Sequence, residues 1–514
     1  MQIKFREFPL LLTLLLALVI GLATFRDYGL SWDEPLYYEY GKASQTAYST
    51  SARLNGTFDI EESFGSSASD HVTRGPAYLL IGGLVEGVLE SLGLDIASAW
   101  HLTNFLTFLV GLTFFHALAR LWLDPWPAAL STAFFAAQPV LWNHAFINPK
   151  DSPFSVFFLI TIVLGLRMMD NWEEDKTKKE IIKSTVLPGI LLGITTSIRF
   201  IAPYAAILLI VYLLIKKKWK YLWAFLPYGL IAIGVMIALW PFLWENPIER
   251  FTLTLDAMAG APANLRILFM GNEYRAYELP RRYFPVLLAA TLTEPTWILF
   301  IIGLVAVFLK AFRKKIEFAK PIVILLWFGI VITLLVGLNP PNSDGYRHYL
   351  FILPPVFLFA GVGIHEILKS ARHWAFKAII VFAVFLPAIY NNIALHPYQY
   401  AYYNTFAGGT KTAFREYETD YWLTCYKEAA EAFNASAPQN ATLFVRREPY
   451  IAAYYTRPDI AVRDGRMEAN KMQSGDFLLV NSRINEDVKI LKDAPIYLEV
   501  GRGGAVFCVI KQIR

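Results

Sequence analysis

Several signatures are missing from this sequence, and each omission removes a class of protein. There is no HExxH pair, no DxD and no cysteine cluster with metal-ligand spacing, so no metal centre is written in a local motif. A divalent cation stays open as a cofactor, but its carboxylates would have to come from separate loops. No Walker A loop or GxGxxG turn occurs, which argues against nucleotide-driven chemistry. Cysteine is almost absent: Cys425 and Cys508 are the two in the chain, and they can pair only if the last quarter lies outside the cytoplasm. Charge is scarce at 17%, and no solenoid-type period is seen.

What is present is apolar. Of 514 residues 55% are hydrophobic and 15% aromatic, the composition of a polytopic α-helical membrane protein. The first apolar run, Phe8 to Phe25, is long enough to span and lacks a small-residue cleavage site, so a cleaved signal peptide is not expected. The net charge of +5 reads as basic loops on one side of a membrane and gives no sign of a nucleic-acid partner.

Lys4 and Arg6 precede the first run, which predicts a cytoplasmic amino terminus and an outer loop from residue 26 to about 96. In that loop Pro35 to Arg53 reads as helix. Residues 76–92 are apolar, but Glu86 and Glu90 share a face and glycines recur, so a helix lying in the interface is expected rather than a span. Later spans are expected near 97–118, 127–147, 152–169, 184–198, 200–215, 221–243, 284–309, 321–338, 349–368 and 375–395. With about eleven spans in all, the basic segments 170–183, 216–220, 310–320 and 369–377 fall on one face, and the carboxy terminus lies out. Residues 1–395 therefore form a membrane domain. Residues 396–514 read as a small extracytoplasmic α/β domain, with strands near 442–446, 477–481, 496–500 and 505–511 and helices near 426–434 and 449–455.

The same topology puts a set of ionisable groups on the outer face. They are Asp33 and Glu34, the segment Asp70 to Arg74, Lys150 and Asp151 in NPKD, Arg199, the arginines between 266 and 282, and Arg347 with His348. Polar groups in a membrane protein are costly to hold and mark functional surfaces. A carboxylate there can act as general base toward an acceptor hydroxyl, while guanidinium and ammonium groups hold a phosphate and neutralise the charge it gains on leaving. Plainer roles compete. Ser31 and Glu34 have capping-box spacing with Pro35 at a first turn, Asp151 can cap the helix after it, Lys150, Arg347 and His348 can be interface anchors, and His71, His101 and His144 read as structural.

Taken together, the Asp-Glu pair of the first outer loop, Arg74-Gly-Pro, the acid of NPKDSPF, GYRHYLFILPP before a late span, and HPYQYAYYNTFAGGTKTAFREYETDYW at 396–422 resemble the GT-C glycosyltransferases. The resemblance is to the family 39, protein O-mannosyltransferase-like and aminoarabinose-transferase-like group. It implies inverting transfer of a sugar from a polyprenyl-phosphate donor to an acceptor hydroxyl of a lipid, glycan or protein outside the cytoplasm, in the plasma membrane of a prokaryote. By motif, Asp33 matches the catalytic base, Glu34 its paired carboxylate and Asp151 the second-loop acid. Arg74 sits where relatives place a basic residue directly before proline; here a glycine intervenes. Arg347 and His348 match basic residues at the last outer mouth, and Lys150 and Arg199 join the donor-phosphate set by position. The tail does not resemble MIR repeats. The competing reading is a transporter or flippase of a lipid-linked molecule, which would carry midplane ionisable groups and inverted repeats; a lipid-binding assembly protein is a third.

Overall fold

The computed structural model describes residues 7–66, 71–260 and 264–514. Lys4, Arg6 and Asp70 of the sequence analysis lie outside them. The chain is an α-helical bundle followed by a small α/β unit. Its helices run α1 Phe8–Thr24, α2 Glu34–Thr46, α3 Ala77–Ser91, α4 Ile96–Ala119, α5 Pro125–Ala136, α6 Pro139–Ile147, α7 Asp151–Asp170, α8 Lys178–Ile198 and α9 Pro203–Ile215. They continue as α10 Phe225–Ala238, α11 Tyr283–Thr291, α12 Pro295–Phe312, α13 Ala319–Leu338, α14 Leu353–Ser370 and α15 Trp374–Ala394. Among the described residues, eight helical stretches are long and apolar enough to cross a membrane, and α1 and α9 are shorter apolar helices. Rows of exposed side chains, such as Leu11, Leu15 and Val19 on α1 and Phe376, Ile379 and Phe382 on α15, are the lipid-facing surface that this composition requires.

Two expected spans are broken, and the breaks meet. The run 127–147 divides at Gln138, whose extended backbone precedes Pro139, and the run 284–309 divides at residues 292–294. The buried Gln138 amide donates to Thr293 Oγ1 at 3.0 Å, and the Thr293 N–H donates back to Gln138 Oε1 at 3.2 Å. Each break supplies polar partners to the other, the condition for irregular backbone inside a bundle. Residues 77–91 form α3, which is absent from the stretches long and apolar enough to span. Its first half packs into the bundle and its second half exposes Leu84, Val88 and Leu92. The helix expected over 35–53 ends at Thr46 and resumes as a single turn, Thr50–Leu54.

The charged loops gather at one end. Lys216 pairs with Glu317 at 2.7 Å and Lys320 with Asp170 at 2.8 Å, so three of the segments assigned to one face do share a face. The loops that the sequence assigns to the outer face converge at the opposite end of the helices, where the tail covers them.

The tail holds a five-stranded sheet. With β1 Arg266–Phe269 and β2 Asn272–Arg275 forming a hairpin in the preceding long loop, its strands are β3 Thr442–Val445, β4 Ala461–Asp464, β5 Phe477–Asn481, β6 Ile496–Arg502 and β7 Ala505–Gln512. Their order is β4-β3-β5-β7-β6, with β3 parallel to β4 and β5, and β7 antiparallel to β5 and β6. Every residue of the central β5 is buried, which is why its first four residues, FLLV, read as an apolar run without alternation. The edge strand β4, AVRD, carries too little pattern to be expected from sequence. Helices α16 Tyr426–Ser436 and α17 Pro449–Tyr455 pack on the sheet, and Cys425 and Cys508 are buried free thiols.

Candidate active site

The corner between α1 and α2 is fixed by packing before any chemistry is considered. Tyr28 stacks on Phe146 at 4.3 Å, and Ser31 Oγ donates to the Ile147 carbonyl at 3.2 Å. Glu34, the first residue of α2, is fully buried. It accepts from the Ser31 N–H at 2.6 Å and from the Tyr38 hydroxyl at 2.5 Å, and His101 Nε2 lies 3.1 Å away. Only half of the expected capping box forms: the Glu34 N–H donates to the Ser31 carbonyl at 3.2 Å rather than to the Ser31 hydroxyl, which points to Ile147. Glu34 therefore holds the corner, and the structure does not bring it to the ion cluster that its neighbour faces. His101 is its partner, in keeping with a structural histidine.

Asp33 caps the same helix with its backbone and turns its carboxylate the other way. Its Oδ2 lies 3.2 Å from Arg347 Nη2, while Oδ1 has no partner among the described residues. Arg347 sits at the start of the turn Arg347–Ile352 that feeds α14, and its guanidinium is the hub of the cluster. Nη1 donates to Asp151 Oδ2 at 2.9 Å, and Nε and Nη2 donate to Asp344 Oδ2 at 3.3 and 3.1 Å. Its face lies 4.6 Å from the Trp422 ring of the tail.

Asp151 opens α7 without capping it by side chain. Asn148 does that work, its Oδ1 accepting from the N–H groups of Lys150 and Asp151 at 3.2 and 2.7 Å. The fully buried Asp151 carboxylate is left to bind Arg347 and Arg199. Arg199 ends α8, and its Nη2 also donates to His348 Nδ1 at 3.0 Å. Burial pushes the Arg199 guanidinium down to about 10, which Asp151 beside it makes tolerable.

Two further cations face the same space without a carboxylate partner among the described residues. Arg74 Nη1 donates only to the Tyr37 hydroxyl, at 2.9 Å. Lys150 is 7% exposed, and its Nζ lies 5.1 Å from the centre of the Tyr37 ring. Burial pushes the Lys150 ammonium well below the usual lysine range, and the like charges of Arg74 and Arg199 push it the same way. The intervening glycine of Arg74-Gly-Pro has a physical reason: a Cβ at Gly75 would lie 1.7 Å from the Ser197 carbonyl oxygen. Its absence lets the Arg74 loop dock against the end of α8, two residues before Arg199. Three carboxylates, Asp33, Asp151 and Asp344, are thus set among Arg74, Lys150, Arg199 and Arg347. The arrangement sets uncompensated cations, groups that bind an anion, on the same side as a carboxylate oxygen that can accept a proton.

Asp33, Arg74, Lys150, Asp151, Arg199, Arg347 and His348 are therefore gathered at one end of the bundle. The arginines of 266–282 are not: Arg266 is exposed and pairs with Glu273 at 3.6 Å, in the hairpin that leans on the tail through the Gly271 N–H to Glu416 carbonyl bond of 2.9 Å. His144 lies 3.3 Å from the Tyr421 hydroxyl, and His71 packs edge-on to Tyr37 at 4.8 Å. Sequence reasoning missed Asp344 and, from the tail, Trp422 and Arg483. Asp344 lies three residues before Arg347 in a loop already assigned to the outer face; Trp422 closes the tail stretch 396–422 quoted for the resemblance, where no role was given to it, and Arg483 carries no local signal. Among the described residues no group of three or more His, Cys, Asp or Glu side chains is set to hold a metal ion.

Neither known protein-family patterns nor curated protein sequences match this chain. Solved structures do. ArnT from Cupriavidus metallidurans in the apo state superposes with a TM-score of 0.54 at 13% identity, over 97% of each chain. The apo oligosaccharyltransferase of Archaeoglobus fulgidus gives 0.53 at 11% identity over 93% of this chain and 70% of that one. The same organism's AglB, in complex with an inhibitory peptide and a dolichol-phosphate, gives 0.52 at 10% identity over the same shares. Coverage of nearly the whole chain shows that the fold is of the GT-C type that the motifs resemble, in an integral membrane protein.

Proposed function

We propose that this chain is a membrane glycosyltransferase that moves a sugar, with inversion, from a polyprenyl-phosphate donor to an acceptor hydroxyl on the extracytoplasmic face of a prokaryotic plasma membrane. The observation that carries the reading is the pair of uncompensated cations, half-buried Arg74 and buried Lys150, beside the free oxygen of Asp33. Buried charge without a counter-ion is expensive unless a ligand supplies one. A lipid phosphate arriving from the bilayer is such a ligand, and AglB of the same fold has been seen with a dolichol-phosphate.

In the proposed reaction Asp33 Oδ1 takes the proton of the acceptor hydroxyl as its oxygen bonds to the anomeric carbon. The bond from that carbon to the phosphate oxygen breaks, the electron pair stays with the oxygen, and polyprenyl phosphate leaves as an anion without needing an acid. Arg74 and Lys150 take up the charge it gains. Asp151 is buried and holds Arg199 and Arg347 in place, with His348 against Arg199 at the rim. Glu34 supports the corner from behind. Residues 1–395 form the membrane domain of this reading and 396–514 the outer domain. A transporter or flippase of a lipid-linked molecule would move the donor without breaking it.

Purified protein supplied with a polyprenyl-phosphate sugar should release polyprenyl phosphate. Asp33→Asn should fold normally and lose about 10²-fold or more in turnover, the scale of a general base. Equal turnover in both proteins would remove Asp33 from the chemistry, and lipid movement without release would favour transport.

A further inference from the structure

The carboxy-terminal domain closes directly on the catalytic corner. The Trp32 N–H donates to the Trp422 carbonyl at 3.1 Å, the Tyr450 hydroxyl donates to the Trp32 carbonyl at 2.6 Å, and the Leu30 N–H donates to the Tyr455 hydroxyl at 2.9 Å. The residues just before Asp33 are therefore tied through their backbone groups to two parts of the tail, the segment at Trp422 and helix α17.

One ion path crosses the same interface. Arg483, 2% exposed, lies between β5 and the short helix after it, and its Nη2 is 3.0 Å from Asp344 Oδ1. The other oxygen of Asp344 holds Arg347, which holds Asp33 and Asp151. Arg483 is itself fixed on every side. Its backbone N–H donates to Asn481 Oδ1 at 2.7 Å, Nη1 donates to the Tyr421 carbonyl at 2.8 Å, Nε is 3.2 Å from Glu418, and the guanidinium lies 4.7 Å from the Trp32 ring. The next residue, Ile484, takes φ +48°, a left-handed conformation that a β-branched side chain adopts only under constraint. Burial pushes the Asp344 carboxyl up, but Arg483 first and Arg347 next outweigh it and hold it below the usual range.

We infer that Arg483 is a positioning residue of the active site, and that the tail serves the reaction by supplying it. Asp344 touches two guanidiniums. With Arg483 in place its charge is shared, and Arg347 remains available to orient Asp33 and Asp151. Without Arg483, the whole of the Asp344 charge falls on Arg347 and draws it away from Asp33. Arg483 does not touch the space facing Arg74 and Lys150, so donor binding should be spared.

This inference rests on the glycosyl-transfer reading, and the test separates the two. With full-length protein and a polyprenyl-phosphate sugar, Arg483→Gln is expected to lower kcat about tenfold or more while donor KM stays within about twofold, the pattern of a lost orienting contact. Adding Asp344→Asn removes the unbalanced charge. The double variant should then turn over faster than Arg483→Gln alone, a non-additive cycle that simple loosening of the fold would not produce. Arg483→Lys keeps the charge without the two-sided fork and should fall between; it carries the same comparison if Arg483→Gln does not fold. An Arg483→Gln kcat equal to wild type, or an effect that merely adds to that of Asp344→Asn, overturns the positioning role and leaves the glycosyltransferase reading standing. Wild-type protein that releases no polyprenyl phosphate removes both.

Discussion

Replacing Lys150 by methionine tests the idea that the site is built to bind an anion, because it should stabilise the protein by itself and weaken its hold on the donor. Lys150 is 7% exposed and has no carboxylate partner among the described residues. Methionine has nearly the same length and no charge to desolvate. Substituting a buried ion by an apolar side chain of similar volume is neutral to stabilising, here about 1–2 kcal/mol. In a thermal melt of detergent-solubilised protein that is a rise of roughly 1–4 °C. The effect carries a pH signature. Burial sets the folded value of Lys150 well below the unfolded 10.5, so between those values the unfolded chain binds the extra proton. Wild-type stability therefore gains from this residue as pH rises through that window, the variant does not, and the gap between them is widest at low pH. Donor binding should move the other way. Losing one charge-assisted hydrogen bond to phosphate costs about 1.5–3 kcal/mol, which is roughly 10- to 100-fold in donor KM. In wild type the KM should rise as pH climbs through the depressed value and the ammonium is lost. A Lys150→Met protein with wild-type KM, or one melting several degrees lower, would refute the reasoning.

Two further substitutions probe how the cluster is assembled. Gly75→Ala puts a methyl 1.7 Å from the Ser197 carbonyl oxygen, so the Arg74 loop must part from α8; overpacking of this kind costs about 1–3 kcal/mol, and both melting temperature and donor KM should worsen. Gly87→Ala in α3, where a Cβ meets nothing within 4 Å, is the control and should be neutral or stabilise by up to about 1 kcal/mol; equal behaviour of the two would show that the close approach at Gly75 is immaterial. Glu418 is buried, and burial raises its carboxyl from 4.5 to about 7. Its folded value exceeds the unfolded one, so the stability it contributes is complete below about 4.5 and is lost as pH rises through about 7. Glu418→Gln should therefore gain on wild type in thermal melts taken from pH 5 to pH 8, and a constant difference would contradict that shift.

The sequence by itself determined what depends on composition and on order along the chain. Apolar runs of spanning length, basic loops after every second crossing and period-2 runs after residue 396 follow from the free energy of burying apolar surface and from the cost of moving charge across a bilayer, which act on local segments. The ion pairs from Lys216 to Glu317 and from Lys320 to Asp170 bear out the placement of those loops at one end. The same order brought Asp33, Lys150, Asp151, Arg199 and Arg347 to the other end. Tertiary structure decided what each of them does there. Asp33 and Glu34 are adjacent in sequence, yet α2 begins between them and sends one carboxylate to Arg347 and the other into a closed shell of Ser31, Tyr38 and His101. The breaks at Gln138 and Thr293 are stable only because they meet across 155 residues. Arg483 reaches Asp344 because the tail folds back over the bundle. A pair interaction between distant segments leaves no period, motif or charge run in either of them, so only the folded chain reveals which carboxylate each guanidinium holds.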